Sequence, residues 1–234
     1  MPLSHHHRTF LTWEPEQAFG LWTLPTQLVA PNIEFIVEDF ETEWQYKQNH
    51  FDFIHGRCLA GRCVADWPRF ISRIFDHVKP GGYFESHESA VWAQSDDGSL
   101  KEDSALMEWQ KAVNYAGEKL DRELNIYNKL KDWVIEAGFE DVKLSVYALP
   151  FSPWPRDPHL KTPGKYQAVQ LQQAIDSYSL RLYTQVLGWR SEVAKIIMLS
   201  LSMSCGIRSC MLMFKRLPSM GESLFTHNIC ALIN

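Results

Sequence analysis

Phe51-Asp52-Phe53-Ile54-His55, then Asp66-Trp67-Pro68 leading into Phe70-Ile71 and Ile74-Phe75, then Lys79-Pro80-Gly81-Gly82-Tyr83-Phe84-Glu85-Ser86-His87-Glu88: this stretch decides the fold. Its first run is β-branched and aromatic and of strand length. Asp66 has the side chain of a helix N-cap, and Pro68 sits in the first turn, where its missing N–H costs nothing. Apolar Phe70, Ile71, Ile74, Phe75 and Val78 then recur at three- and four-residue spacing, the stripe of a helix packed on a sheet. Lys79 to Gly82 stops that helix and turns the chain, and Tyr83 to Glu88 forms the next strand. A strand, a helix and a short return make the two strands parallel.

Upstream, Ile33-Glu34-Phe35-Ile36-Val37 reads as a strand that ends in the acidic pair Glu38-Asp39. The first 31 residues hold no sustained period and are punctuated by Pro2, Pro15, Pro25 and Pro31. Downstream, Asp103 or Ser104 opens an amphipathic helix through about Leu124. A second helix, near Ile126 to Ala137, ends at Gly138, the usual left-handed cap. Val142 to Tyr147 alternates as a half-buried strand. Pro150, Pro153, Pro155 and Pro158 frame Phe151 and Trp154 in a stiff aromatic loop, and Lys165 to Leu187 reads as one helix stopped by Gly188. Beyond about Ile196 Ser, Met, Cys and Leu dominate and the period fades, so no element is assigned there.

Composition sets the outer limits. The 234 residues suit one α/β domain, or one with a small lobe, and 45% hydrophobic residues suffice for a packed core. A net charge of −5 argues against a nucleic-acid-binding surface. The five cysteines are an odd number, and the four-residue gaps in Cys58/Cys63 and Cys205/Cys210 are wider than zinc knuckles use. Reduced thiols and no metal site are expected. The start, Met1 to Arg8, has no apolar signal core, and the run from Ile196 to Met203 is too short to span a bilayer. The expected setting is cytoplasmic or nuclear, not secreted and not in a membrane.

Several segments resemble the fungal LaeA-like methyltransferases, S-adenosylmethionine-dependent proteins of the Rossmann-like class. These are Asn49-His50-Phe51-Asp52-Phe53-Ile54-His55-Gly56-Arg57, Asp66-Trp67-Pro68, Lys79 to Glu85, Trp154-Pro155-Arg156-Asp157-Pro158 and Val186-Leu187-Gly188-Trp189. The likeness runs from about Pro31 to Ala194. It implies an α/β fold, an incomplete Rossmann-like methyltransferase sheet with flanking helices and a helical substrate-cap insertion. Residues 1–31 form an irregular N-terminal segment, 32–194 the methyltransferase-like domain and 195–234 a divergent tail. The family's glycine-rich turn, which lets backbone amides approach the cofactor, has no counterpart, because the chain holds no Gly-x-Gly. The first strand, its glycine loop and the first helix are therefore expected to be missing. Trp22 stands where the family's ribose-binding acid is expected.

By position in that family, Glu38, Asp39, His55 and Arg57 bind the cofactor, with Asp39 accepting from the adenine amino group. Glu85, His87 and Glu88 end the strand at 83–88, and a histidine beside two carboxylates serves as a base when the acceptor is a hydroxyl or amine, which makes His87 and Glu88 the catalytic candidates; a solvated strand end accounts for the same residues equally well. Phe151, Trp154 and Tyr166 are the candidates to stack on an aromatic acceptor, although an aromatic loop is more often simply core. Two functions stay open. One is a methyltransferase of fungal secondary metabolism, acting on a small molecule or as a LaeA-like regulator. The other is a catalytically inactive relative that serves as a binding or assembly partner. A sheet without its first layer leaves an edge and apolar surface uncovered. Residues ahead of Pro31 are expected to lie across it as irregular chain or a short helix, and the chain is expected to self-associate.

Overall fold

The computed structural model describes residues 10–13, 39, 41–61, 63–89, 92–95, 100–204, 212–214 and 224–232. The chain divides into two compact units. The first is Met1–Glu88 with Lys129–Leu144 and Asn228–Asn234, and the second is Ser89–Asn128 with Ser145–His227. The expected strand at 33–37 and Glu38 lie outside the described residues.

The first unit is built on β1 (Phe10–Trp13), β2 (Phe51–Arg57) and β3 (Val78–Glu88). β1 and β2 run parallel, as do β2 and β3. Between β2 and β3 lies α1 (Trp67–His77), as its stripe requires. The Asp66 carboxylate accepts from the Arg69 N–H at 3.1 Å and starts the helix. Trp67, Phe70, Ile71 and Ile74 are buried on its inner side. A short helix, α2 (Leu130–Glu136), buries Leu130 and Val134. Phe139, just beyond it, meets Phe75 of α1 edge-on at 5.1 Å and Phe84 of β3 at 5.7 Å. Gly138 has φ +106°, and a Cβ there would stand 3.0 Å from the Phe75 ring.

Two further strands complete the sheet: β4 (Glu140–Ala148) and β5 (Leu224–Leu232), in the order β1-β2-β3-β5-β4. The sequence reading finds no strand in the tail, yet residues 224–232 stand inside the sheet. It also expects irregular chain or a short helix before Pro31, yet Phe10–Trp13 forms a strand whose Phe10, Leu11, Thr12 and Trp13 pair with Phe53, Ile54, His55 and Gly56. The backbone groups along the edge of β2 need partners, and an extended aromatic and β-branched segment satisfies them. Lys79 to Gly82 also departs from expectation: β3 begins directly at Val78, and a register shift between Phe51 and Phe53 absorbs the turn.

The second unit is mainly helical: α3 (Ala105–Lys119), α4 (Pro158–Arg181), a π-helical turn (Leu182–Val186) and α5 (Ser191–Ser204). β6 (Ala93–Ser95) and β7 (Leu212–Phe214) form an antiparallel pair beside them. The core contains Leu106, Trp109, Val113, Phe151, Leu171, Ile175 and Tyr183. Trp109 donates its indole N–H to the Ser179 hydroxyl at 2.7 Å, so even its polar edge is satisfied. α3 stops before Leu124 because Arg122 N–H returns to Gly117 O at 2.9 Å with Asp121 at φ +53°. Any Cβ on Gly117 would run into Arg122 O and Leu124. No helix among the described residues is long and apolar enough to cross a membrane.

Candidate active site

In open parallel sheets, ligands sit beyond the carboxyl ends of the strands. Here β1, β2 and β3 share that edge, and alternation sorts their side chains onto two faces. Ile54, Gly56, Phe84, Ser86 and Glu88 are buried on one face. Phe53, His55 and Arg57 pair in register with Tyr83, Glu85 and His87 on the other, where all six are half-buried or exposed.

The central pair of that second face carries the chemistry. His55 Nδ1 lies 2.9 Å from Glu85 Oε2, with side chains 14% and 27% exposed. The carboxylate accepts from Nδ1–H, which orients the ring and leaves Nε2 outside this contact. Phe53 stacks beside the ring at 6.2 Å. Arg57, one step nearer the edge, is exposed and pairs across the ladder with His87.

Glu88 does something else. It is 1% exposed, and its two oxygens accept from the Leu59 N–H at 3.1 Å and the Ala60 N–H at 3.0 Å. Cys58, immediately before them, adopts φ +54° and donates its N–H to His87 O at 3.0 Å. A non-glycine residue held at positive φ is costly on its own, and two charge-assisted bonds to the following amides offset it. Glu88 therefore ties the loop after β2 to the end of β3, and the geometry gives it a holding role.

The other expected site residues scatter. Asp39 is exposed, and its Oδ1 accepts from the Glu41 N–H at 3.0 Å in a local turn. Phe151 is a core residue of the helical unit, Trp154 is half-buried, and Tyr166 on α4 is 70% exposed. The aromatic loop thus packs inward at Phe151. One face of the sheet edge holds His55, Arg57 and His87, while Glu88, expected beside His87 as part of a base, is on the buried face and holds the backbone of Leu59 and Ala60. Glu85 is expected from the sequence to flank His87, yet it partners His55 instead; the signal for that pairing is the shared alternation of Phe53-x-His55 and Tyr83-x-Glu85.

Residues 14–144 match the family model described as a methyltransferase domain. The chain is 34% identical over 166 residues to the methyltransferase pytC of Aspergillus terreus, which covers 71% of this chain and 51% of that protein. It is 32% identical over 173 residues to the probable methyltransferase tdiE of Emericella nidulans, covering 73% and 54%. It is 29% identical over 171 residues to the secondary metabolism regulator LAE1 of Cochliobolus heterostrophus, covering 72% and 55%. The chain spans about half the length of these relatives. With β1, β2 and β3 running parallel and a family match over more than half its residues, the chain belongs to the methyltransferase domain family.

Proposed function

We propose that this protein is an S-adenosylmethionine-dependent methyltransferase of fungal secondary metabolism, with a small molecule as acceptor. The observation that carries the reading is the His55–Glu85 pair at the carboxyl edge of a methyltransferase-family sheet. The donor set fits the polar ends of the cofactor. Arg57 offers a cation for a carboxylate, and Asp39 an exposed carboxylate for an amine or hydroxyl. The 234 residues hold no Gly-x-Gly turn of the kind whose backbone amides cradle such a cofactor.

When bound, the cofactor supplies a methyl group on a sulfonium, and its transfer needs alignment and exclusion of water more than covalent help from the protein. His55 Nε2 accepts the proton from a hydroxyl or amine acceptor, while Glu85 holds the ring and stabilises the imidazolium that results. Arg57 and Asp39 hold the cofactor's charged and polar groups. Glu88 keeps the 58–61 loop in place, and His87, in register with Arg57, completes the polar edge. Residues 32–194 form the methyltransferase-like body in this reading. The cysteine usage favours a reducing compartment, cytoplasm or nucleus.

The missing Gly-x-Gly supports a second reading, a non-catalytic relative that acts by binding another molecule or a copy of itself. Isothermal titration with S-adenosylmethionine separates the two. Saturable binding in the micromolar range, weakened in Arg57→Ala, supports the enzyme. No heat at millimolar cofactor removes it and leaves the binding role.

A further inference from the structure

The turn that carries Asp39 is shaped by its own hydrogen bonds. Asp39 Oδ1 accepts from the Glu41 N–H at 3.0 Å, and Asp39 O accepts from the Thr42 N–H at 3.1 Å and the Thr42 hydroxyl at 2.6 Å. Partners this close in sequence set the form of a turn and say nothing of where it sits. Glu41 supplies the place. Its Oε1 accepts from the Ala65 N–H at 2.7 Å, across 24 residues of chain.

Ala65 closes the loop that follows β2, and that loop has anchors of its own. Glu88 holds the Leu59 and Ala60 amides, Cys58 N–H donates to His87 O, and Cys63 N–H donates to Leu59 O at 3.0 Å. Asp66, next to Ala65, caps α1. Glu41 therefore fastens the Asp39 turn to fixed backbone at the carboxyl edge of the sheet. The rest of that segment is held against α1: Trp44 meets Phe70 at 6.4 Å and His77 at 4.8 Å, and the Asn49 and His50 N–H groups donate to Asp76 O and His77 O.

We infer that Glu41 is a positioning residue for the cofactor: by holding the Ala65 N–H it sets the Asp39 carboxylate where the adenosine end of S-adenosylmethionine meets the sheet edge. This rests on the cofactor role proposed for Asp39. A turn ordered before binding spares the entropy of ordering it at that moment, so losing the tether weakens affinity while the binding group itself remains. The contact needs an oxygen at the right reach. Glutamine keeps both, whereas aspartate keeps the charge and is one methylene short.

Isothermal titration with S-adenosylmethionine and with 5′-methylthioadenosine, which has the adenosine end without the amino acid, tests the role. Glu41→Asp is expected to weaken both by about 3- to 10-fold, the worth of one hydrogen bond. Glu41→Gln is expected to bind both like the native chain. In an Asp39→Asn background, Glu41→Asp is expected to cost little further, since the two act as one unit. If Glu41→Asp does not fold, Glu41→Ser, also too short and without charge, takes its place. Native binding that Glu41→Asp leaves unchanged, an equal loss in Glu41→Gln, or the full loss repeated in Asp39→Asn would overturn this role alone. No binding of either probe by the native chain overturns the S-adenosylmethionine reading and this role with it.

Discussion

His55, Glu88 and Tyr183 show how differently one fold uses ionisable side chains. His55 is half-buried and tied to one carboxylate through Nδ1, which leaves Nε2 outside that contact. Glu88 is sealed in and spends both oxygens on backbone amides. Glu88→Ala leaves two N–H groups without their acceptor, and a loss of about 2–4 kcal/mol is expected in urea unfolding. Glu88→Gln is expected to recover only part of it, because the new amide nitrogen faces a donor. Tyr183 sets an alkaline limit. Burial and the nearby Glu108 carboxylate push its folded value up to about 12 from the ordinary 10.0, so the unfolded chain gives up this proton first. The stability tied to the neutral hydroxyl is complete below pH 10 and is lost as pH rises toward 12. Thermal melts across that range are expected to fall more steeply for the native chain than for Tyr183→Phe.

At the scale of elements, α1 was legible because its signals are local: Asp66 as cap, Pro68 in the first turn, and a stripe at helical spacing. Asp66→Ala is expected to cost about 1 kcal/mol by calorimetry. Gly138 was legible as a helix stop for the same reason. Gly138→Ala forces a Cβ into φ +106° and against Phe75, and about 1–3 kcal/mol of destabilisation is expected. α3 was read about one turn too long, since its stop at Lys119 depends on how the chain packs back over Gly117. α5 was missed because its Ile, Met, Leu and Ser carry little periodic contrast.

For the molecule as a whole, self-association is expected through the face of β2 and β3 that bears Phe53 and Tyr83. Tyr83 is 48% exposed there, beside the His55–Glu85 pair. A net charge of −5 gives only modest repulsion between copies, screened beyond about 8 Å at physiological salt. Sedimentation velocity is expected to show concentration-dependent association that Tyr83→Lys reduces. A single monomeric species at every concentration would remove this role for the sheet face.

The sequence by itself determined what near neighbours decide: the parallel β2-α1-β3 unit, the caps, the family, and His55 and Arg57 at a strand end. Tertiary structure alone decided what distant residues decide together. Phe10–Trp13 became a strand only because β2 had an edge with unpaired backbone groups, and residues 224–232 became one by entering the sheet beside β3. His55 and Glu85 are thirty residues apart, and only the register of two parallel strands makes them partners. The Tyr183 hydroxyl lies within a core assembled from segments that span 93 to 194. Periodicity and capping are written over a few residues, whereas register and burial exist only once the chain has folded.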